Sequence, residues 1–376
     1  MTKSNQDFAK HRLAYFISPH GFGHAARAAS VMEAIYEIET SIRFEIFTRV
    51  PSWFFQDSLS APFAYHSLLT DIGMVQKTPL REDLGKTIQH LDDFLPFKPT
   101  LIDYLAQQLN GLKCELVICD IAAMGILAAQ HAGIPSVLVE NFTWDWIYEG
   151  YAGLNDQIYN HVEYLGRIFD SVSYHIQTEP VCFHRKVDLL TLPVSRKVKT
   201  HYRKIRRQLH VPVDKKVILI TMGGIPEKYT SVKGLTTQPD VYFIIPGGSE
   251  SMELTENLVL LPHHSNFYHP DLVNASDAVL GKLGYSTLAE VYHAGVPFGY
   301  ISRPNFRESE RLAAYIEREM SGIAIQEADF LTGNWVSQLP KLLTLQRTQR
   351  KGPNGSDQIA TYIYELLKDS DSGNGM

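Results

Sequence analysis

The stretch whose reading decides the fold is DAVLGKLGYSTLAEVYHAGVPFGYI, Asp277 to Ile301: a short apolar strand, a glycine-rich loop with a lysine, a helix start and a second strand. Strand, helix and strand in that order make one βαβ unit of a parallel sheet. The loop suits a diphosphate. Gly281 and Gly284 leave the backbone open to close approach, and Lys282 brings positive charge. Tyr285, Ser286 and Thr287 stand where the first N–H groups of a helix have no intrahelical partner. Glu290 lies one turn beyond Ser286 on the same face, where a carboxylate can accept both hydroxyls of a ribose. The GxxxxGK[ST] spacing of a P-loop is missing, so phosphoryl transfer from ATP loses its usual support. The plain alternative for Lys282 is a surface lysine.

The same alternation surrounds this stretch. Strands are expected at Val217–Thr221, Val241–Ile245, Leu258–Leu261, Ala278–Leu280 and Pro297–Ile301, with helices around Leu272–Ala275, Ser286–His293, Glu308–Glu319 and Gln358–Leu367. After VILIT come Gly223 and Gly224, whose exposed N–H groups can meet an anion. His263 and His264 follow LVLLP, where backbone groups can read a base ring. PNFRESER puts Glu308 and Glu310 in the loop or first turn after a strand; they could bond sugar hydroxyls, or simply complement the helix dipole.

The first half opens on HGFGHAAR, His20 to Arg27, after the apolar run LAYFIS. Gly21, Gly23 and Ala26 fit the dinucleotide pattern GxGxxA, but the next strand, IRFEIFTRV, ends in Thr48 and Arg49 rather than in the acid that holds an NAD ribose; Arg49 suits a 2′-phosphate, so an NADP turn stays open as the weaker reading. A dinucleotide turn has no special use for imidazole. A base does, and His24 at the helix start is the first candidate, His20 the second. Asp120 ends the apolar strand CELVICD in the same half, and would emerge on the same sheet edge to orient that base. The alternatives are that His24 and Asp120 cap helices. Further strands are expected at Leu13–Ser18, Ile42–Thr48, Glu115–Asp120, Ser136–Glu140 and Val172–Gln177.

With 376 residues the chain is too long for one ordinary core. Lys and Arg number 35 against 41 Asp and Glu, and no long basic run tracks a phosphate backbone, so nucleic acid is not an expected partner. Three cysteines without metal-ligand spacing read as reduced thiols of a cytoplasmic protein. No apolar run approaches a membrane span, and no signal peptide is legible. Proline and positive charge gather between residues 190 and 212, which places the junction of two domains, 1–200 and 201–355. Residues 356–368 read as a C-terminal helix that packs back on the first domain, and 369–376 as a disordered tail.

Taken together, GFGHAAR and GKLGYSTLAE resemble a GT-B nucleotide-sugar glycosyltransferase, similar to plant UDP-glycosyltransferases and the peptidoglycan N-acetylglucosaminyltransferase. HGFGHAAR, VLVENFTWDWIYEGY, MGGIP, PDLVNASDAVLGKLGYST and LTGNW are similar to the glycosyltransferase-like N-terminal half of plant L-arabinokinases, over nearly the whole chain. The resemblance implies an α/β fold of two Rossmann-like doubly wound parallel-sheet domains facing each other across a cleft. It implies inverting, metal-independent transfer from a UDP-sugar to a hydroxyl of a small-molecule, lipid or glycan acceptor, with no cofactor. His24 matches the family's base and Asp120 its partner; Lys282 matches the diphosphate donor and Glu290 the ribose acid, while Glu308 lies near the residue that holds the donor sugar. Gly23, Asn141 and Trp144 fall on the acceptor side. The plant signature's Trp and Gln are not reproduced, which leaves nucleotide and sugar open. The kinase half of arabinokinases is not among these motifs. Two rival readings are a UDP-sugar epimerase of the same fold and a nucleotide-sugar-binding module without transfer.

Overall fold

The computed structural model describes residues 9–78, 80–223 and 234–373. They divide into two compact units. One takes the described residues through Val75, then Asp83–Ser195 and Pro353 onward; the other takes Gln76–Glu82 and Arg196–Gly352.

The first unit is built on a seven-stranded sheet. Its strands are β1 (His11–Ile17), β2 (Ile42–Thr48) and β3 (Phe63–Ser67); the hairpin β4 (Gln76–Thr78) and β5 (Arg81–Glu82) belongs to the second unit. They continue with β6 (Leu116–Asp120), β7 (Ser136–Glu140), β8 (Tyr174–Thr178) and β9 (Leu189–Thr191). The order is β3-β2-β1-β6-β7-β8-β9, every pair parallel. Strands buried on both faces need continuous apolar runs, and β6 and β7 are buried at every position. The order reverses between β1 and β6, so their carboxyl ends flank a topological switch point.

The second sheet repeats the plan with β10 (Lys216–Thr221), β11 (Val241–Pro246), β12 (Glu253–Thr255), β13 (Leu258–Leu261), β14 (Ala278–Lys282), β15 (Phe298–Ile301) and β16 (Gly322–Ala324). Its order is β12-β13-β11-β10-β14-β15-β16, with only β12 antiparallel, and its switch point lies between β10 and β14. Gly281 allows those two strands to pair. A Cβ there would lie 2.0 Å from the Thr221 carbonyl oxygen, so Gly281→Ala is expected to part β10 from β14 and lower the melting temperature in a thermal scan.

The C-terminal helix runs Gly355–Gly373. Ile359, Ile363 and Leu367, four residues apart, form one face buried in the first unit's core beside the helix Gly23–Ile38. The helix goes past residue 368, where a disordered tail is expected from composition: once nucleated, each further polar residue gains a hydrogen bond for one fixed residue. No helix among the described residues is long and apolar enough to cross a membrane.

Candidate functional site

The HGFGHAAR turn leaves β1 at the first switch point. Gly21 has φ +71°, which glycine adopts without cost, and the helix begins at Gly23. His24 is thereby set one residue into the helix, above the end of β6. Its Nδ1 lies 2.8 Å from Asp120 Oδ1. Arg27, on the same helix face, donates from Nε to Asp120 Oδ2 and from Nη2 to Asp120 Oδ1, both at 2.7 Å. Its Nη1 donates to Asn141 Oδ1 at 2.6 Å. Arg27 is 1% exposed and Asp120 and Asn141 are 0%, whereas His24, at 8%, borders the surface. Burial alone would raise the Asp120 carboxyl, but Arg27 and then His24 more than offset it and hold the acid below its ordinary range.

Asp120 caps no helix; Ala122 occupies that position for the helix Ala123–Ala132, without a side-chain bond. Between them Ile121 has φ +46°, unfavourable for a β-branched residue, so the chain is strained immediately beyond the acid. His20 packs differently. It meets Trp144 edge to face at 5.3 Å, and the Gly73 backbone approaches so closely that a Cβ there would lie 2.7 Å from its Nδ1. Asn141, expected to face an acceptor, is instead spent on Arg27, and Trp144, 1% exposed, is packed in the interior: side chains after a buried strand fill the core first. Gly23 is half-buried at the helix start.

Asp71 joins this edge unannounced by any motif. Ser18 donates to its Oδ1 at 2.9 Å, its Oδ2 is buried without a hydrogen-bond partner, and burial pushes its carboxyl up to about 7.

At the second switch point Lys282 ends β14. Its Cε lies 3.5 Å from where a Cβ on Gly223 (φ +68°) would stand, which brings the lysine beside the turn after β10. Gly224 lies outside the described residues. Burial, and next the Arg303 guanidinium, lower the Lys282 ammonium to about 7 against the pull of Glu308 and Glu82. Arg303 Nη1 is 3.5 Å from Glu82 and its Nη2 is 3.6 Å from Glu308. The helix Tyr285–Ala294 follows Gly284, with Tyr285 and Thr287 buried and Ser286 half-buried in its first turn. Its leading N–H groups have no intrahelical partner and lie at the positive end of the helix dipole.

Glu290 is on this helix but already committed. Arg196 donates to its Oε1 from Nη2 at 2.9 Å and from Nε at 3.2 Å, and His269 Nδ1 lies 2.6 Å from Oε2. Burial would raise this carboxyl; Arg196 and His269 bring it below its ordinary value. A ribose at Glu290 therefore has to share it with these two. Glu308 is buried at the Arg303 cluster, whereas Glu310, next along the helix Glu308–Glu319, is exposed, as is His263. Among the described residues no three His, Cys, Asp or Glu side chains gather in a metal-holding group.

No protein-family model matches the chain. An L-arabinokinase from Arabidopsis thaliana is 28% identical over 372 residues, 95% of this chain and 34% of the kinase. A UDP-N-acetylglucosamine–N-acetylmuramyl-(pentapeptide) pyrophosphoryl-undecaprenol N-acetylglucosamine transferase from Lactobacillus gasseri is 28% identical over 127 residues, 31% of this chain and 34% of the transferase. The chain thus spans about a third of the length of the curated relatives it matches. Among solved structures, a UDP-glucosyltransferase from Polygonum tinctorium superposes with a TM-score of 0.59 at 13% identity, over 96% of this chain and 94% of that one. The chain has the GT-B fold.

Within this GT-B fold, the residues that sequence reasoning did not find are Arg27, Asp71, Glu82, Arg196, His269 and Arg303. Arg27 had a signal, being three positions after His24 and so on its helix face. The others meet their partners only through tertiary contacts, Glu82 from the hairpin β4-β5 more than two hundred residues from Arg303.

Proposed function

We propose that this GT-B chain is a glycosyltransferase. It would move a sugar from a nucleotide diphosphate, UDP in the simplest case, to a hydroxyl of a small-molecule, lipid or glycan acceptor. The observation that carries the reading is that each unit puts a matching chemistry at its own switch point, a histidine with a buried acid in the first and a half-buried lysine ahead of a helix start in the second.

In this reading His24 Nε2 takes the acceptor proton while Nδ1 stays bonded to Asp120. The acceptor oxygen attacks the anomeric carbon opposite the diphosphate, which inverts that centre. Negative charge grows on the leaving diphosphate, and Lys282, the Gly223 amide and the first turn of the helix Tyr285–Ala294 stabilise it, with no metal or cofactor in the scheme. The three cysteines are free and buried, which suits a reducing, cytoplasmic setting. A second reading, a nucleotide-sugar-binding module without transfer, is favoured by the match to only part of a kinase.

The test is to incubate the protein with UDP-, dTDP- and GDP-sugars, with and without candidate hydroxyl acceptors, and follow nucleotide release. Acceptor-dependent release that survives a chelator is the expected result. Binding of a nucleotide sugar with no release from any acceptor would support the binding module instead, and no binding at all would remove both readings.

A further inference from the structure

We infer that Arg27 is a positioning residue for the base: through Asp120 it keeps the His24 imidazole unprotonated and in the Nδ1–H tautomer, leaving Nε2 to accept a proton. This rests on the reading of His24 as base. The structure shows one carboxylate shared between a fixed cation and an imidazole. Arg27 takes both oxygens of Asp120, and Asn141 accepts from the remaining arm of the fork, so the guanidinium cannot swing away.

The charges decide what this does. A buried carboxylate facing only an imidazole shares a proton with it, and the pair as a whole takes up one at neutral pH. Here the carboxylate charge is already matched by Arg27. The guanidinium also stands against a second cation directly, its Nη2 being 3.5 Å from His24 Nδ1. The start of the helix Gly23–Ile38 acts in the same sense, because its dipole opposes positive charge at His24.

The other groups at this edge do not reverse the sign. From β1, Tyr15 is buried beside Asp120 with its phenol pushed far up, hence neutral. Cys119, on β6, is likewise a thiol rather than a thiolate. Phe142 and Trp144, after β7, present rings to His24 at 5.9 and 6.2 Å. His20 meets Trp144 edge to face, and Asp71, which accepts from Ser18 and interacts with Asp120, acts against Arg27 only once ionised above about 7; it is the same in wild type and Arg27→Gln, so the difference between them keeps its sign.

A role confined to holding Asp120 and Asn141 in place, with no action of the guanidinium charge on the ring, would leave the His24 titration unmoved when Arg27 is replaced. The experiment is a pH titration of the full chain labelled with 15N-histidine, the His24 ring signals being assigned by their loss in His24→Gln. It needs no donor or acceptor, so its failure is distinct from failure of the transferase reading.

In the wild-type protein the ring at mildly alkaline pH is expected neutral with Nδ1 protonated. In Arg27→Gln the ring's titration moves up by about one pH unit or more, the effect of an opposite charge left unmatched at hydrogen-bond distance, and Arg27→Lys moves it less. A folded Arg27→Gln protein with an unmoved titration overturns the proposal. Should that variant not fold, the wild-type spectrum decides: a protonated ring, or the Nε2–H tautomer, at mildly alkaline pH overturns it equally.

Discussion

His24→Ala lowers the rate of sugar transfer by about a hundred- to ten-thousandfold, the range that a positioned general base contributes, and leaves nucleotide affinity unchanged. The separation follows from the architecture. His24 and Asp120 sit at the switch point of the first unit, and the groups assigned to the diphosphate sit at that of the second. Removing the imidazole leaves Lys282, Gly223 and the helix after Gly284 in place. The measurements are single-turnover rates with saturating donor and calorimetric binding of UDP. A rate that falls less than about tenfold would remove His24 from the chemistry, since proton transfer at the attacking oxygen would then have another agent. A rate and an affinity that fall together would mean that the substitution had disturbed the fold, and Asp120→Asn, which keeps the volume, then becomes the informative variant.

The second large effect is on affinity and its dependence on pH. Lys282 is held to about 7, first by burial and then by Arg303. A diphosphate binds the ammonium and not the amine. Below about 7 the charge is already present; above it, each binding event must also bring a proton, and affinity falls about tenfold for every pH unit until the bound-state value is reached. Calorimetry of UDP binding in buffers of different ionisation enthalpy should therefore show close to one proton taken up on the alkaline side, and none well below the midpoint. Lys282→Met should abolish that uptake, flatten the pH profile and weaken binding by about ten- to a hundredfold, as expected for one charge-assisted contact. Binding that stays tight and proton-neutral in the variant would show that the phosphate lies elsewhere.

How much of this was legible in the sequence follows the range of the interactions involved. The strands β2, β7 and β13 match their sequence-based boundaries to the residue: β7 and β13 are built on short continuous apolar runs, and β2 alternates apolar with charged residues at the period of a strand. Short strands at sheet edges, β3, β9, β12 and β16, were not foreseen. Their residues are largely half-buried or exposed, and what makes them strands is the neighbour to which they bond. The stretch Leu84–Leu109 reads as partly helical and is two helices, Leu84–Phe94 and Pro99–Gly111, parted around Pro96.

The site divides in the same way. By itself the sequence determined that a histidine follows the first strand at a helix start, that an acid ends a strand of the same half, and that a lysine stands between glycines ahead of another helix. Each of those is a local pattern tied to strand, turn and cap chemistry, which a few consecutive residues suffice to specify. Only the tertiary structure decided that Asp120 is shared with Arg27, that Asn141 and Trp144 turn inward, that Glu290 is held by Arg196 and His269, and that burial and then Arg303 lower the Lys282 ammonium to about 7. Charge state and orientation depend on which distant groups share a desolvated space, and that is a property of the packed sheets, not of any segment read alone.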